Sequence, residues 1–197
     1  MSLFSPLLEA ALGVASTAHQ GQCRKGTALP YITHPVQVAT ILQRAGWTDE
    51  VVLAAALLHD VVEDTEVTLT QLAAQFPDRT VAIVAALSEQ KTDAEGAARP
   101  WEDRKREYLE RLATADVETR AVALADKLHN LRCLVADVKT DPAAWQRFNA
   151  KPDRLAWYHR AVADTCARGE TSLMGLLREC NEAIADVERL LDSTGSA

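Results

Sequence analysis

The sequence has no apolar run long enough to span a membrane, no pair of cysteines at CxxC spacing, and almost no strand-like alternation of apolar and polar residues. The first absence excludes a bilayer-crossing helix. The amino-terminal stretch MSLFSPLLEAALG lacks the basic start of a secretory signal, so the cytoplasm is the expected compartment. Cys23, Cys133, Cys166 and Cys180 stand far apart and read as reduced thiols rather than as a disulfide framework. A surplus of positive charge is missing too. The 21 Lys and Arg against 28 Asp and Glu give a net charge of −7, which argues against broad nucleic-acid binding and leaves an anionic substrate to local contacts. No internal repeat and no Gly/Ser/Pro-rich linker divides the chain, so a single domain over 1–197 is expected.

What is present is helical punctuation, and it predicts an all-α bundle of roughly ten helices. Ser5 as N-cap with Pro6 behind it opens a first helix to about Ala18. Pro35 starts a second, which Gly46 can end in a left-handed cap. A third runs from about Asp49 to Glu63. Thr68 and Gln71 make a capping box for a fourth, and Asp78 caps a fifth. The segment SEQKTDAEGAARP, 88–100, is polar and aperiodic and reads as a mobile loop with the character of a lid. Trp101 opens the next helix, and Asp116 caps a long one through about Val135. Helices over Pro142 to Phe148, Pro152 to about Arg168 and Ser172 to Leu191 complete the chain, with 152–191 expected to pack on the core. Leu173, Leu177, Cys180, Ile184, Val187 and Leu191 form a stripe suited to core or homodimer contact.

The chemistry concentrates in LLHDVVEDT, Leu57 to Thr65. It follows Val51 to Leu58, which is apolar on every side and therefore buried if helical. On a continuous helix His59 and Glu63 share one ridge, and Asp60 and Asp64 share the next. Carboxylates so crowded raise one another's pKa unless a cation lies between them, and a divalent metal meets that need. His34, at a helix start, and Asp126, among apolar residues of the long helix, are partners of the right kind. The set His34, His59, Asp60 and Asp126 offers two imidazoles and two carboxylates, which suits manganese, iron, cobalt or zinc. Glu63 and Asp64 remain to orient or deprotonate the attacking water, or else to form salt bridges with Lys127 or Arg24. Arg24 and Lys25 can meet phosphate or a base face, Asn130 a sugar or base edge, and Tyr158 can stack or donate. His129 either backs a metal ligand or is a polar residue on a helix face, the second being preferred. His19 and His159 are weaker pocket candidates.

Three strings, AHQGQCRKGTALPYITHPVQVA, AALLHDVVEDT and LADKLHNL, occur in order over about Ala11 to Val135. Together they resemble the hydrolase domain of RelA/SpoT-type alarmone enzymes, within the HD-domain phosphohydrolases, and the later WYHR region is similar to that of the small stand-alone members. The resemblance implies manganese-dependent removal of the 3′-diphosphate from guanosine tetra- or pentaphosphate, giving pyrophosphate and GDP or GTP. It implies that His34, His59, Asp60 and Asp126 hold the metal and that Glu63 and Asp64 are the catalytic pair. Arg24, Lys25, Asn130 and Tyr158 would then recognise the nucleotide, with Lys91, Arg104 or Lys105 meeting the diphosphate. Related small hydrolases also act on adenine alarmones and the 2′-phosphate of NADPH, which is the alternative substrate class.

Overall fold

Local capping chemistry sets most helix starts. In the computed structural model, which describes residues 3–147 and 151–194, ten α-helices follow one another with no strand among the described residues. They are α1 (Pro6–Ala18), α2 (Thr33–Arg44), α3 (Glu50–Leu58), α4 (Val61–Asp64), α5 (Leu69–Ala73), α6 (Asp78–Leu87), α7 (Trp101–Thr114), α8 (Val117–Thr140), α9 (Pro152–Cys166) and α10 (Met174–Thr194). Ser5 accepts from the Leu8 N–H at the head of α1. The Thr68/Gln71 capping box is complete at α5, and Asp116 accepts from Thr119 N–H at α8. Gly46 closes the segment after α2 at φ 91°, where an L side chain would be strained.

Helix α3 is the centre of the bundle. Every residue from Val52 to Leu58 is buried, and α1, α2, α6 and α8 all pack against it. Burying a side chain such as Leu58 contributes about 1.5–3 kcal/mol, so this helix is stable only inside the bundle. Helix α8 runs past it with a second buried stretch, Ala121 to Asp126, and α9 and α10 pack on α8. The α10 stripe supplies buried Cys180, Ile184 and Val187, and the Cys180 thiol meets the Leu124 carbonyl at 3.4 Å.

Several boundaries differ from expectation, each for a local reason. The helix expected over 49–63 is two helices. It stops at Leu58 because His59 turns its Nδ1 onto the Ala56 carbonyl at 2.7 Å, and Asp60 adopts φ −99°, ψ −8° before α4 begins. Helix α2 starts at Thr33, with Pro35 inside its first turn, where a missing N–H costs nothing. Pro77 precedes α6, and Asp78 is its first helical residue. Helix α8 continues to Thr140, Pro142–Arg147 is a 3-10 helix, and Phe148 lies outside the described residues. Another 3-10 turn, Thr171–Leu173, precedes α10. Segment 88–100 is a loop as expected, with a defined turn. Asp93 N–H donates to the Ala97 carbonyl and Arg99 N–H to the Lys91 carbonyl, each at 2.9 Å.

Ile184→Ala on α10 tests whether that helix belongs to the common core. It is expected to cost about 2–5 kcal/mol in urea-induced unfolding with one cooperative transition. A separate early transition would mean that α10 packs only loosely.

Candidate metal centre and active site

The break between α3 and α4 builds the site. On an unbroken helix adjacent side chains diverge by about 100°. Here His59 and Asp60 converge, with His59 Nε2 3.1 Å from Asp60 Oδ2. His34, buried in the first turn of α2, brings its Nε2 to 3.2 Å from Asp126 Oδ1 and 3.5 Å from Asp60 Oδ2. Donor atoms of His34, His59 and Asp126 all lie within 4.8 Å of one another. His59 donates its Nδ1–H to the Ala56 carbonyl, which leaves Nε2 buried and without a hydrogen-bond partner. An orphaned, buried ring nitrogen facing a second imidazole and carboxylates fits a divalent cation, which would take the place of its proton. Asp60, the fourth expected ligand, stands beside both imidazoles but accepts the Tyr31 hydroxyl at 2.5 Å and is not part of that three-residue group.

The electrostatics favour a cation. Burial opposes charge on His59, but Asp60 and Asp126 outweigh it and lift its pKa to about 9. Burial likewise opposes charge on Asp60 and Asp126, yet neighbouring cations hold both well below the usual carboxylate range. His59 and, for Asp126, Lys127 lead those contributions. For Asp126 the partners are Lys127 Nζ at 2.6 Å and Asn130 Nδ2 at 2.5 Å. Lys127 is held between the rings of Tyr108 and Tyr158, 5.3 and 5.6 Å from their centroids.

The acidic pair of α4 sits one turn from this cluster. Glu63 accepts the Glu89 backbone N–H at 3.0 Å, and burial followed by the charge of Glu89 outweighs that bond and raises its pKa. The Lys91 ammonium lies 3.3 Å from Glu63 Oε1 and pairs with Asp64 Oδ1. The salt-bridge partner of the pair is therefore Lys91 and not Lys127 or Arg24. Asp64 is tied from behind as well. Gln22 donates to its carbonyl at 3.0 Å, and His19 Nδ1 meets Gln22 Oε1 at 2.8 Å.

A chamber of about 180 Å³ contains this cluster, and a larger one of about 360 Å³ adjoins it. Tyr31, Lys105, Lys127 and Asn130 stand in the walls of both. The larger chamber collects Arg24, Lys25, Tyr158 and His159 with apolar Leu134 and Leu155. Arg24 donates to Asn130 Oδ1 at 2.9 Å. Tyr158 is buried. Its hydroxyl has no partner, and Lys105 Nζ stands 4.5 Å from its ring centroid. That cation occupies one face of the ring, so the free hydroxyl is its more available function. His159 also lines this chamber, and burial with the charges of Lys127 and Lys105 pushes its pKa down to about 3.

His129 is not simply a polar residue on a helix face: its Nδ1 meets His34 Nδ1 at 2.7 Å, and its pKa falls to about 4 through burial, His34 and Arg24. Its spacing from Asp126 was the available signal. Tyr31 and Glu89 join the site unforeseen. Tyr31 stands three residues before His34 in PYITH, whereas nothing around Glu89 marks it. Its carboxylate is buried between Arg104 Nη1 at 3.2 Å and Lys105 Nζ at 2.5 Å.

A helical bundle with a His/Asp cluster at its centre defines a class. The family model described as HD domain matches residues 11–149, and the chain belongs to the HD-domain family. Within it, the relatives are specific. The guanosine-3′,5′-bis(diphosphate) 3′-pyrophosphohydrolase MESH1 of Mus musculus is 42% identical over 160 residues, 79% of this chain and 82% of that protein. MESH1 of Homo sapiens is 37% identical over 182 residues, 90% of each. A solved structure described as a metazoan ortholog of SpoT that hydrolyzes ppGpp superposes with a TM-score of 0.77 at 29% identity, covering 94% of this chain and 97% of that one.

The raised pKa of His59 makes protons and metal competitors for one site. Below about 9 the metal-free protein holds a proton that the cation must displace. Apparent Mn²⁺ affinity is therefore expected to rise about tenfold per pH unit between roughly pH 6.5 and 8.5 in a competitive titration. A flat profile would exclude this coupling.

Proposed function

We propose that the chain is a metal-dependent hydrolase of guanosine 3′,5′-bis(diphosphate) and the corresponding pentaphosphate, releasing pyrophosphate and GDP or GTP. One observation carries the reading: a small acidic, histidine-lined chamber shares four wall residues with a larger chamber that is basic and apolar. A nucleoside suits the larger one and the 3′-diphosphate the smaller. The names of the relatives support the same substrate.

His34, His59 and Asp126, with Asp60 beside them, would hold the cation, for which manganese is proposed; iron, cobalt and zinc share the donor preference. Such a cation supplies Lewis-acid polarisation of phosphate oxygens and acidifies water at the site. Glu63 is the proposed proton acceptor. Its burial keeps the carboxylate more basic than an exposed glutamate, which a base working near neutrality requires. The water oxygen bonds to the phosphorus next to the 3′ oxygen, the bond between that phosphorus and the 3′ oxygen breaks, and the proton passes to the 3′ oxygen. Asp64, tied to Lys91 and to the Gln22 side chain, aligns the water with Glu63. Lys105 and Lys127, in the shared wall, offset the charge of the diphosphate. Arg24, Lys25, Asn130 and the Tyr158 hydroxyl hold the nucleoside and its 5′ phosphates. The four free thiols suit the cytoplasm as the proposed setting.

The test separates metal holding from proton transfer. His59→Ala is expected to lose Mn²⁺ and activity together. Glu63→Gln is expected to keep its Mn²⁺ while turnover of guanosine tetraphosphate to GDP and pyrophosphate falls about 10²–10⁴-fold. Release of orthophosphate in place of pyrophosphate, or greater activity on adenine alarmones or NADPH, would overturn the substrate assignment. Loss of metal from Glu63→Gln would overturn the division of roles.

A further inference from the structure

Behind His34, on the side away from the carboxylates, three side chains stand in line. His34 Nδ1 meets His129 Nδ1 at 2.7 Å, and His129 Nε2 meets Cys133 Sγ at 3.5 Å. His129 and Cys133 are four residues apart and so lie on one ridge of α8, while His34 comes from α2. The two imidazoles meet edge to edge, with centroids 4.9 Å apart and planes 33° apart, as a bond between ring nitrogens requires.

Two neutral imidazoles in this arrangement have only two consistent proton placements. In one, His34 donates from Nδ1, its Nε2 lone pair faces His59 and Asp126, and His129 carries its own proton on Nε2, aimed at the Cys133 sulfur. In the other, His129 donates from Nδ1, the His34 proton sits on Nε2, and that nitrogen cannot bind a cation. A ligating histidine usually donates its second N–H to a carboxylate, a carbonyl or water. A neutral imidazole as the acceptor adds no negative charge to a site that already contains Asp60, Asp126, Glu63 and Asp64.

We propose that His129 is a positioning residue of the metal centre: by accepting the Nδ1 proton of His34, it fixes the tautomer and ring plane that present His34 Nε2 to a divalent cation, while the Cys133 sulfur accepts its own Nε2–H. This role rests on the assignment of His34 as a ligand and is independent of which nucleotide is hydrolysed.

The test reads metal occupancy. Wild-type, His129→Phe and His129→Asn proteins are stripped with chelator and titrated with Mn²⁺, free ion being followed by electron paramagnetic resonance and fold by circular dichroism. Phe keeps the ring volume without an acceptor, and is expected to weaken Mn²⁺ binding about 10–100-fold. Asn places an amide oxygen near the former Nδ1 position, and is expected to recover most of the affinity. His129→Phe binding within twofold of wild type overturns the proposal, as does a folded His129→Asn protein no better than His129→Phe. A second readout needs no variant. With Zn²⁺ bound, long-range ¹H–¹⁵N spectra of the wild-type imidazoles should show His34 protonated on Nδ1 and His129 on Nε2, and a His129 proton on Nδ1 overturns the assignment. A wild-type protein that takes up neither ion would remove the metal centre itself.

Discussion

Everything in this protein depends on ending a fully buried helix in charge. From Val52 onward helix α3 is wrapped by four others and has no face for water, so the polar groups at its carboxyl end must be satisfied by protein or by a ligand. His59 spends one nitrogen on the Ala56 carbonyl and leaves the other unpartnered. The same turn breaks the helix and brings Asp60 to that second nitrogen. That junction is where α2 and α8 deliver His34 and Asp126.

Around that junction the charges are layered. The histidines and carboxylates lie innermost, and Lys127, Lys105 and Lys91 surround them, each paired with an acid. These lysines offset the charge of the acids they pair with, and Lys105 and Lys127 stand in the wall shared by both chambers. Glu89 ties the layers together, since its backbone N–H holds Glu63 while its side chain holds Arg104 and Lys105. A net charge of −7 is therefore compatible with an anionic substrate, because the positive charge lies in the walls of the cavity.

What was legible in the sequence was local. Ser5, the Thr68/Gln71 pair and Asp116 cap where their spacing says they should, because capping involves residues three or four apart. The coincidence of His34, His59 and Asp126 was legible because an imidazole or carboxylate among apolar residues demands a partner. The α3–α4 break was not, since Leu57, Leu58, Val61 and Val62 keep helical spacing across it and a side chain bonding to a backbone carbonyl decides it. The role of His129 depended on which face of α8 meets α2, and that is a property of packing. Glu89 is buried only because α7 folds Arg104 and Lys105 over a loop that looks solvated in one dimension.

The central claim is that one cation, held by residues from three separate elements, organises both chambers. Crystals grown with Mn²⁺ and measured at the manganese absorption edge test it most directly. The account predicts one anomalous peak about 2–2.3 Å from His34 Nε2, His59 Nε2 and an Asp126 oxygen. A peak elsewhere, or none between those three residues at saturating Mn²⁺, would contradict it.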